Sequence, residues 1–177
     1  MNIGVFCSAS DVAEHYTNTA VELATLIARH KHTLVWGGSD TGTMKVIADA
    51  AQAAGGKIVG ISMELLKNVA RKNADEMIIA RDLTERKAKL LERSDAIIVL
   101  PGGLGTLDEI SEFLELKKHR LHEKPIVFMN TNAFYAGLRA QLLHMEKEGF
   151  LTRPVSELAT FVETPREAIE HVESYGH

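Results

Sequence analysis

A single cysteine, Cys7, stands among the 177 residues, so no intrachain disulfide can brace this chain. Basic residues are scattered, not gathered into a stripe, and the formal net charge is −4, which argues against a nucleic-acid surface. No apolar run is long enough to span a bilayer, so no membrane partner is expected. Neither does any early pairing of basic and apolar residues resemble a signal peptide, which makes the cytoplasm the expected compartment. Internal repeats, low-complexity tracts and linkers are missing too. What is present is a 45% hydrophobic chain, long enough to bury one sizeable core, and residues 1–177 are read as a single domain.

Short apolar runs alternate with segments of helical period. Strands are expected at Asn2–Ser8, Thr33–Trp36, Lys57–Ile61, Glu76–Ala80, Asp95–Leu100, Pro125–Met129 and near Ala159–Val162. Between them, helices are expected through Ala20, Leu23, Ala24, Ile27 and Ala28, over Gly42–Ala54, from Asp82 through Leu91, from Leu107 to about His119, over Ala133–Glu148 and after Pro165. Ser62–Asn73 reads as a loop with one helical turn. Alternation of this kind implies an α/β fold: a doubly wound, mostly parallel, Rossmann-like sheet with helices on both faces. In the strand order 3-2-1-4-5, the first and fourth strands are neighbours where the winding reverses. The loops Ser8–Asp11, Arg81–Arg86 and Pro101–Thr106 then share one cleft, flanked by Gly37–Gly42.

The most informative stretch is Asp95-Ala-Ile-Ile-Val-Leu-Pro-Gly-Gly-Leu-Gly-Thr-Leu-Asp-Glu109, a buried strand running into a glycine turn and a helix. Pro101 stops the strand, and Gly102, Gly103 and Gly105 let a ligand approach backbone N–H groups at the positive end of the helix, an anion site. Thr106 and Glu109 read as a T-x-x-E capping box, with Thr106 the N-cap and the Glu109 carboxylate beside the first free amides, which would keep it ionised. Asp82-Leu-Thr-Glu85 reads as a second box. Gly37-Gly-Ser-Asp-Thr-Gly42 spaces its glycines like a Walker A loop, but Thr43-Met44-Lys45 follows where Lys-Ser/Thr is required. Nor does Gly103-Leu-Gly105 meet the dinucleotide fingerprint, since position 108 is Asp. Both glycine turns open helices, which favours a phosphate cradle over plain tight turns.

Arg86 falls at about the fourth position of its helix, where a cation loses about 0.3–1 kcal/mol against the helix dipole. Either it pairs with an acid such as Asp82 in solvent, or it grips a ligand phosphate or ribose. Facing Glu109, it forms a pair able to handle an oxocarbenium-like sugar transition state while water attacks. His119-x-x-His122 has only Glu115 and Glu123 nearby to complete a ligand set, so no metal is expected. Cys7 reads as inert packing, and Lys117-Lys-His-Arg120 as a solvated helix end.

Pro101-Gly-Gly-Leu-Gly-Thr-Leu-Asp-Glu109, with Asp82-Leu-Thr-Glu-Arg-Lys87 ahead of it, resembles the LOG family of cytokinin riboside 5′-monophosphate phosphoribohydrolases. Val5-Phe-Cys7, the Trp36-Gly-Gly turn with Gly42 and Met44, and His122-Glu-Lys-Pro125 extend the likeness over most of the chain. The resemblance implies hydrolysis of the N-glycosidic bond of an AMP-like or N6-modified purine nucleoside 5′-monophosphate. It implies Arg86 and Glu109 as the catalytic pair. Pro101, Gly102, Gly103, Gly105, Thr106 and Lys87 are implied around the phosphate, and Gly37, Gly38 and Gly42 along the nucleotide. It implies no cofactor, and a homodimer with its sites near the interface. Departures from the family pattern are Ser8, Ala9, Ser39 and Lys45, and Glu115, Leu116 and Lys118 where the family commonly carries Thr, Trp and Gln. The lysine decarboxylase label attached to many members does not fit: a pyridoxal enzyme needs a Schiff-base lysine, a pyridinium partner and a larger fold. The alternative is a carrier of the same fold that holds a nucleotide or molybdenum cofactor without turning it over.

Overall fold

The computed structural model describes residues 1–175; Gly176 and His177 lie outside the described residues. Seven strands, β1 (Asn2–Phe6), β2 (Thr33–Trp36), β3 (Lys57–Met63), β4 (Glu76–Ala80), β5 (Ala96–Val99), β6 (Ile126–Met129) and β7 (Thr160–Val162), form one parallel sheet. Around it lie α1 (Glu14–Arg29), α2 (Gly42–Ala53), α3 (Leu83–Arg93), α4 (Leu104–Lys118), α5 (Ala136–Lys147), the short α6 (Val155–Leu158) and α7 (Pro165–Ser174). Among the described residues, no helix is long and apolar enough to cross a membrane.

Side chains along each strand alternate between two cores, as the two-residue period requires. Ile3, Val5, Leu34, Trp36, Ile98 and Val127 pack with Leu23 and Ile27 of α1, Ile47 of α2 and Ile169 of α7. Phe6, Val35, Val59, Val99 and Phe128 face the other way, onto Leu90 of α3 and Ile110 and Phe113 of α4. Both faces of the sheet are covered, which is why the strand sequences are nearly continuous apolar runs.

The strand order is β4-β3-β2-β1-β5-β6-β7, which corrects the expected neighbours. β4 adds outside β3 as an edge strand, and it is β5 that pairs with β1, Val5 beside Ile98. The winding reverses between β1 and β5. Because α3 must then cross from the β4 edge to the centre, its first turn lies over the carboxyl ends of the inner strands. Residues 62–73 hold the end of β3 and a 3-10 turn over Glu64–Val69, close to the expected loop. The expected Ala133–Glu148 helix starts three residues later, as α5 at Ala136, after a 3-10 turn at Thr131–Ala133 with left-handed Asn132 and Ala133.

Candidate active site

Asp82 fixes the start of α3. Its carboxylate accepts from the Glu85 N–H at 2.8 Å, while the Glu85 carboxylate accepts from the Arg81 N–H (2.8 Å) and Nε (2.9 Å) and does not close the box on Asp82. With Leu83 as the first helical residue, Arg86 is the fourth, and its side chain is buried. The guanidinium donates from Nη1 to Glu109 Oε1 at 2.7 Å, from Nε to the Ile61 carbonyl at 3.0 Å and from Nη2 to the Gly37 carbonyl at 3.3 Å. One side chain thereby ties the ends of β2 and β3 to α4. Gly37 is needed for this approach, since a Cβ there would stand 2.3 Å from Arg86 Nη2. The pairing with Asp82 in solvent is not what forms.

Glu109 lies in the second turn of α4, not in its cap. The helix begins at Leu104 with Gly103 as N-cap, no side chain caps it, and its first turn carries no acid. Thr106 is therefore the third helical residue, buried against Gly102, and the expected Thr106–Glu109 box is absent. Gly103 takes the extended cap position three residues before the threonine, and its carbonyl accepts the Leu107 N–H at 3.0 Å. The charge of Glu109 is thus met by Arg86 and not by backbone amides. Burial raises its carboxyl above the ordinary carboxylate value against the pull of Arg86. Cys7, at the end of β1, is buried, and its thiol is pushed well up by burial and by Glu109 nearby, as suits packing and not nucleophilic attack.

The second glycine turn is braced from outside. Gly42, at φ +54°, sits directly under the Ala9 and Ser10 carbonyls, where any Cβ would clash at 2.3–2.5 Å, and the Met44 N–H donates to the Ser8 carbonyl at 3.1 Å. Sequence reasoning missed Arg71, which is buried behind this turn. Its backbone N–H donates to the Gly38 carbonyl (2.8 Å), and its guanidinium binds Asp40 Oδ1 (2.8 Å), Gln52 Oε1 (2.6 Å) and Asp49 Oδ1 (2.7 Å). No pattern in the unperiodic Ser62–Asn73 stretch marks it. Tyr135 was missed as well; its buried hydroxyl donates to the Leu100 carbonyl at 2.7 Å and pins the strand end before Pro101.

Other candidates lie elsewhere. Lys87 binds Asp108 (3.1 Å) and Glu112 on the flank of α4, near enough to Glu109 for its charge to favour that carboxylate. His119 binds Glu115 at 2.9 Å, whereas His122 binds the Phe113 carbonyl at 2.9 Å, so the two imidazoles do not converge. Lys117 is not solvated: it is buried near the Tyr175 ring, and burial brings its ammonium down to about 8. Glu115 and Lys118 stand on the rim of an apolar groove of about 400 Å³ between α4 and α5, lined by Leu107, Leu114, Leu138 and Leu142.

Fold and site together define a Rossmann-like α/β protein with a buried arginine–glutamate pair and an uncapped helix start beside the reversal of its winding. The family model described as "Possible lysine decarboxylase" matches residues 44–172, and the chain belongs to that family, the LOG family. It is 36% identical over 169 residues to the cytokinin riboside 5′-monophosphate phosphoribohydrolase of Mycobacterium tuberculosis, covering 94% of this chain and 90% of that protein. Identity to the protein of the same name from Rhodococcoides fascians is 37%, covering 85% of this chain and 78% of the relative. Among solved structures, the molybdenum cofactor binding protein of Rippkaea orientalis superposes with a TM-score of 0.75 at 24% identity, over 98% of this chain and 95% of that one, a likeness of fold.

Proposed function

We propose that this protein is a phosphoribohydrolase that cleaves the N-glycosidic bond of purine nucleoside 5′-monophosphates, AMP or its N6-modified forms, to free base and ribose 5-phosphate. The observation that carries this reading is the buried Arg86–Glu109 contact of 2.7 Å, made across two strand-to-helix junctions beside an uncapped helix start. The activity for which relatives at 36% and 37% identity are named supports it.

In this reading the 5′-phosphate sits on the backbone N–H groups at the start of α4, in the turn of Pro101, Gly102, Gly103, Gly105 and Thr106. Gly37, Gly38 and Gly42 line the nucleotide. Arg86 holds the ribose and fixes the Glu109 carboxylate. Glu109 stabilises the positive charge developing on the sugar and takes a proton from the attacking water. The water oxygen bonds to C1′, the C1′–N bond breaks with its electron pair going to the base, and solvent protonates the departing nitrogen. A carboxyl raised by burial matches a base working nearer neutrality than an exposed glutamate. Lys87 acts at most through the flank of α4, given its two acidic partners.

The protein is further proposed to be a homodimer. α5 has no buried residue along its twelve, and its apolar side forms one wall of the α4–α5 groove. Leu104 and Leu107, 85% and 46% exposed, continue that apolar surface to the start of α4, so an interface there adjoins the phosphate turn.

Incubation of the purified protein and its Glu109→Gln variant with a panel of nucleoside monophosphates, read by mass spectrometry, tests the activity. Free base and ribose 5-phosphate from the wild type alone are expected. Absence of base from every nucleotide defeats the hydrolase reading, and ligand-induced thermal stabilisation shared equally by both proteins would instead mark a carrier.

A further inference from the structure

At the far end of β2 from Gly37, the chain gathers three metal-ligating side chains that the hydrolase reading does not use. α1 ends in a Schellman turn: the Lys31 N–H donates to the Ala28 carbonyl (3.0 Å), the His32 N–H donates to the Ile27 carbonyl (3.0 Å), and Lys31 is left-handed at φ 61°. The turn sets His30 and His32 on either side of Lys31, with ring centroids 6.2 Å apart. Glu173, in the last turn of α7, reaches between them. His30 Nδ1 and His32 Nε2 each lie 2.8 Å from the same oxygen, Glu173 Oε1. Met1 N lies 3.4 Å from the other ring nitrogen of His32, Nδ1.

We propose that His30, His32 and Glu173 bind one divalent transition-metal ion of the zinc class through two imidazole nitrogens and one carboxylate oxygen. The donor set is the one such ions favour. All three ligand atoms lie within 4.8 Å of one another. Zn–N and Zn–O bonds of about 2.0–2.1 Å at tetrahedral angles put neighbouring ligand atoms about 3.3 Å apart, so the observed 2.8 Å contacts open by about half an ångström to admit the ion. In the absence of metal, the two imidazoles donate their N–H protons to one carboxylate oxygen, and these two hydrogen bonds hold Glu173 below the usual carboxylate range. To bind the ion, each neutral imidazole carries its proton on the other ring nitrogen, by exchange with solvent, so that His30 Nδ1, His32 Nε2 and Glu173 Oε1 each present a lone pair. With 42% of the His30 side chain and 35% of the Glu173 side chain exposed, water has access to a fourth coordination position. His32, at 11%, forms the inner wall.

The backbone supports this arrangement before any ion arrives. The Schellman turn fixes the two histidines relative to each other, and α7 packs on α1 through Ala168, Ile169 and Val172 in the core that contains Leu23 and Ile27. A bound ion would therefore fasten the last helix to the α1–β2 turn, remote from Arg86 and Glu109. It contributes stability and not chemistry.

Metal-stripped full-length protein is titrated with Zn²⁺ by calorimetry and with Co²⁺ by visible absorption, and thermal unfolding is followed with and without Zn²⁺. One equivalent of each ion, the intense d–d bands of tetrahedral Co²⁺ and a Tm raised by Zn²⁺ are expected. Glu173→Gln and His30→Ala, checked by circular dichroism for an intact fold, are expected to lose at least tenfold in Zn²⁺ affinity and to lose the Tm rise. Substoichiometric uptake by the wild type, or wild-type affinity in both variants, overturns the proposal. Because the readouts are binding and stability, the outcome is independent of whether the chain hydrolyses nucleotides.

Discussion

Two opposite charges withdrawn from water at 2.7 Å depend on each other, because either one left alone is an uncompensated buried ion, a loss of about 3–5 kcal/mol. Glutamine at 109 keeps an acceptor for Arg86 while removing the titrating group. Glu109→Gln should therefore remain folded yet lose about 10²–10⁴ in kcat. The wild-type profile of kcat/KM against pH should show an acid limb above the 4.5 of an ordinary glutamate, because burial favours the protonated form and activity rises as the proton leaves. An acid limb at or below that value contradicts a buried base. Gly103 provides a second residue-scale test. Among the described residues nothing stands within 4 Å of a Cβ there, and φ of −94° is outside the left-handed region. Gly103→Ala should lower stability by no more than about 1 kcal/mol, alanine being the poorer N-cap, and raise KM for the nucleotide, since the space it fills is the one assigned to phosphate; an unchanged KM would remove phosphate from that turn.

Helix starts decide where these groups point. The Asp82 cap on α3 was legible from Asp82-Leu-Thr-Glu85, and it forms from the Asp82 side. Asp82→Ala should lower stability by about 1 kcal/mol in denaturant unfolding. It should also reduce turnover, because the first turn of α3 carries Arg86; full activity at reduced stability would separate the cap from the site. The start of α4 was misread by one turn, since T-x-x-E is a strong local signal and an extended glycine cap is a weak one. The consequence is chemical: Glu109 faces a guanidinium and not backbone amides, and burial now opposes its ionisation. Arg71 shows the limit of reading by pattern. Its partners, Asp40, Asp49 and Gln52, lie in the glycine turn and in α2, more than a dozen residues away in the chain, and only the folded structure brings them together.

At the scale of the whole molecule, the alternation of strands and helices was legible because both faces of the sheet are covered and each strand is an apolar run. The strand order was not. Glu76–Ala80 has no proline or run of charges to mark it as an edge, yet among the described residues it pairs only with β3. Arg86 nevertheless reaches the ends of β2 and β3, since α3 carries it inward from that edge. The groove between α4 and α5 yields a prediction of assembly: sedimentation should show a dimer for the wild type and a monomer for Leu142→Glu, which places a charge on the groove wall. A wild-type monomer would leave α5 without its second copy.

The proposed function requires that Arg86 and Glu109, in contact at 2.7 Å, act as one unit on a sugar phosphate held beside them. The most direct measurement is the rate of base release from AMP-class nucleotides by the wild type, Arg86→Gln, Glu109→Gln and the double variant, each confirmed as folded. If the pair is a unit, each single substitution should remove most of the activity and the double should be little worse than the poorer single. Losses that multiply, or turnover that survives either substitution, would contradict it.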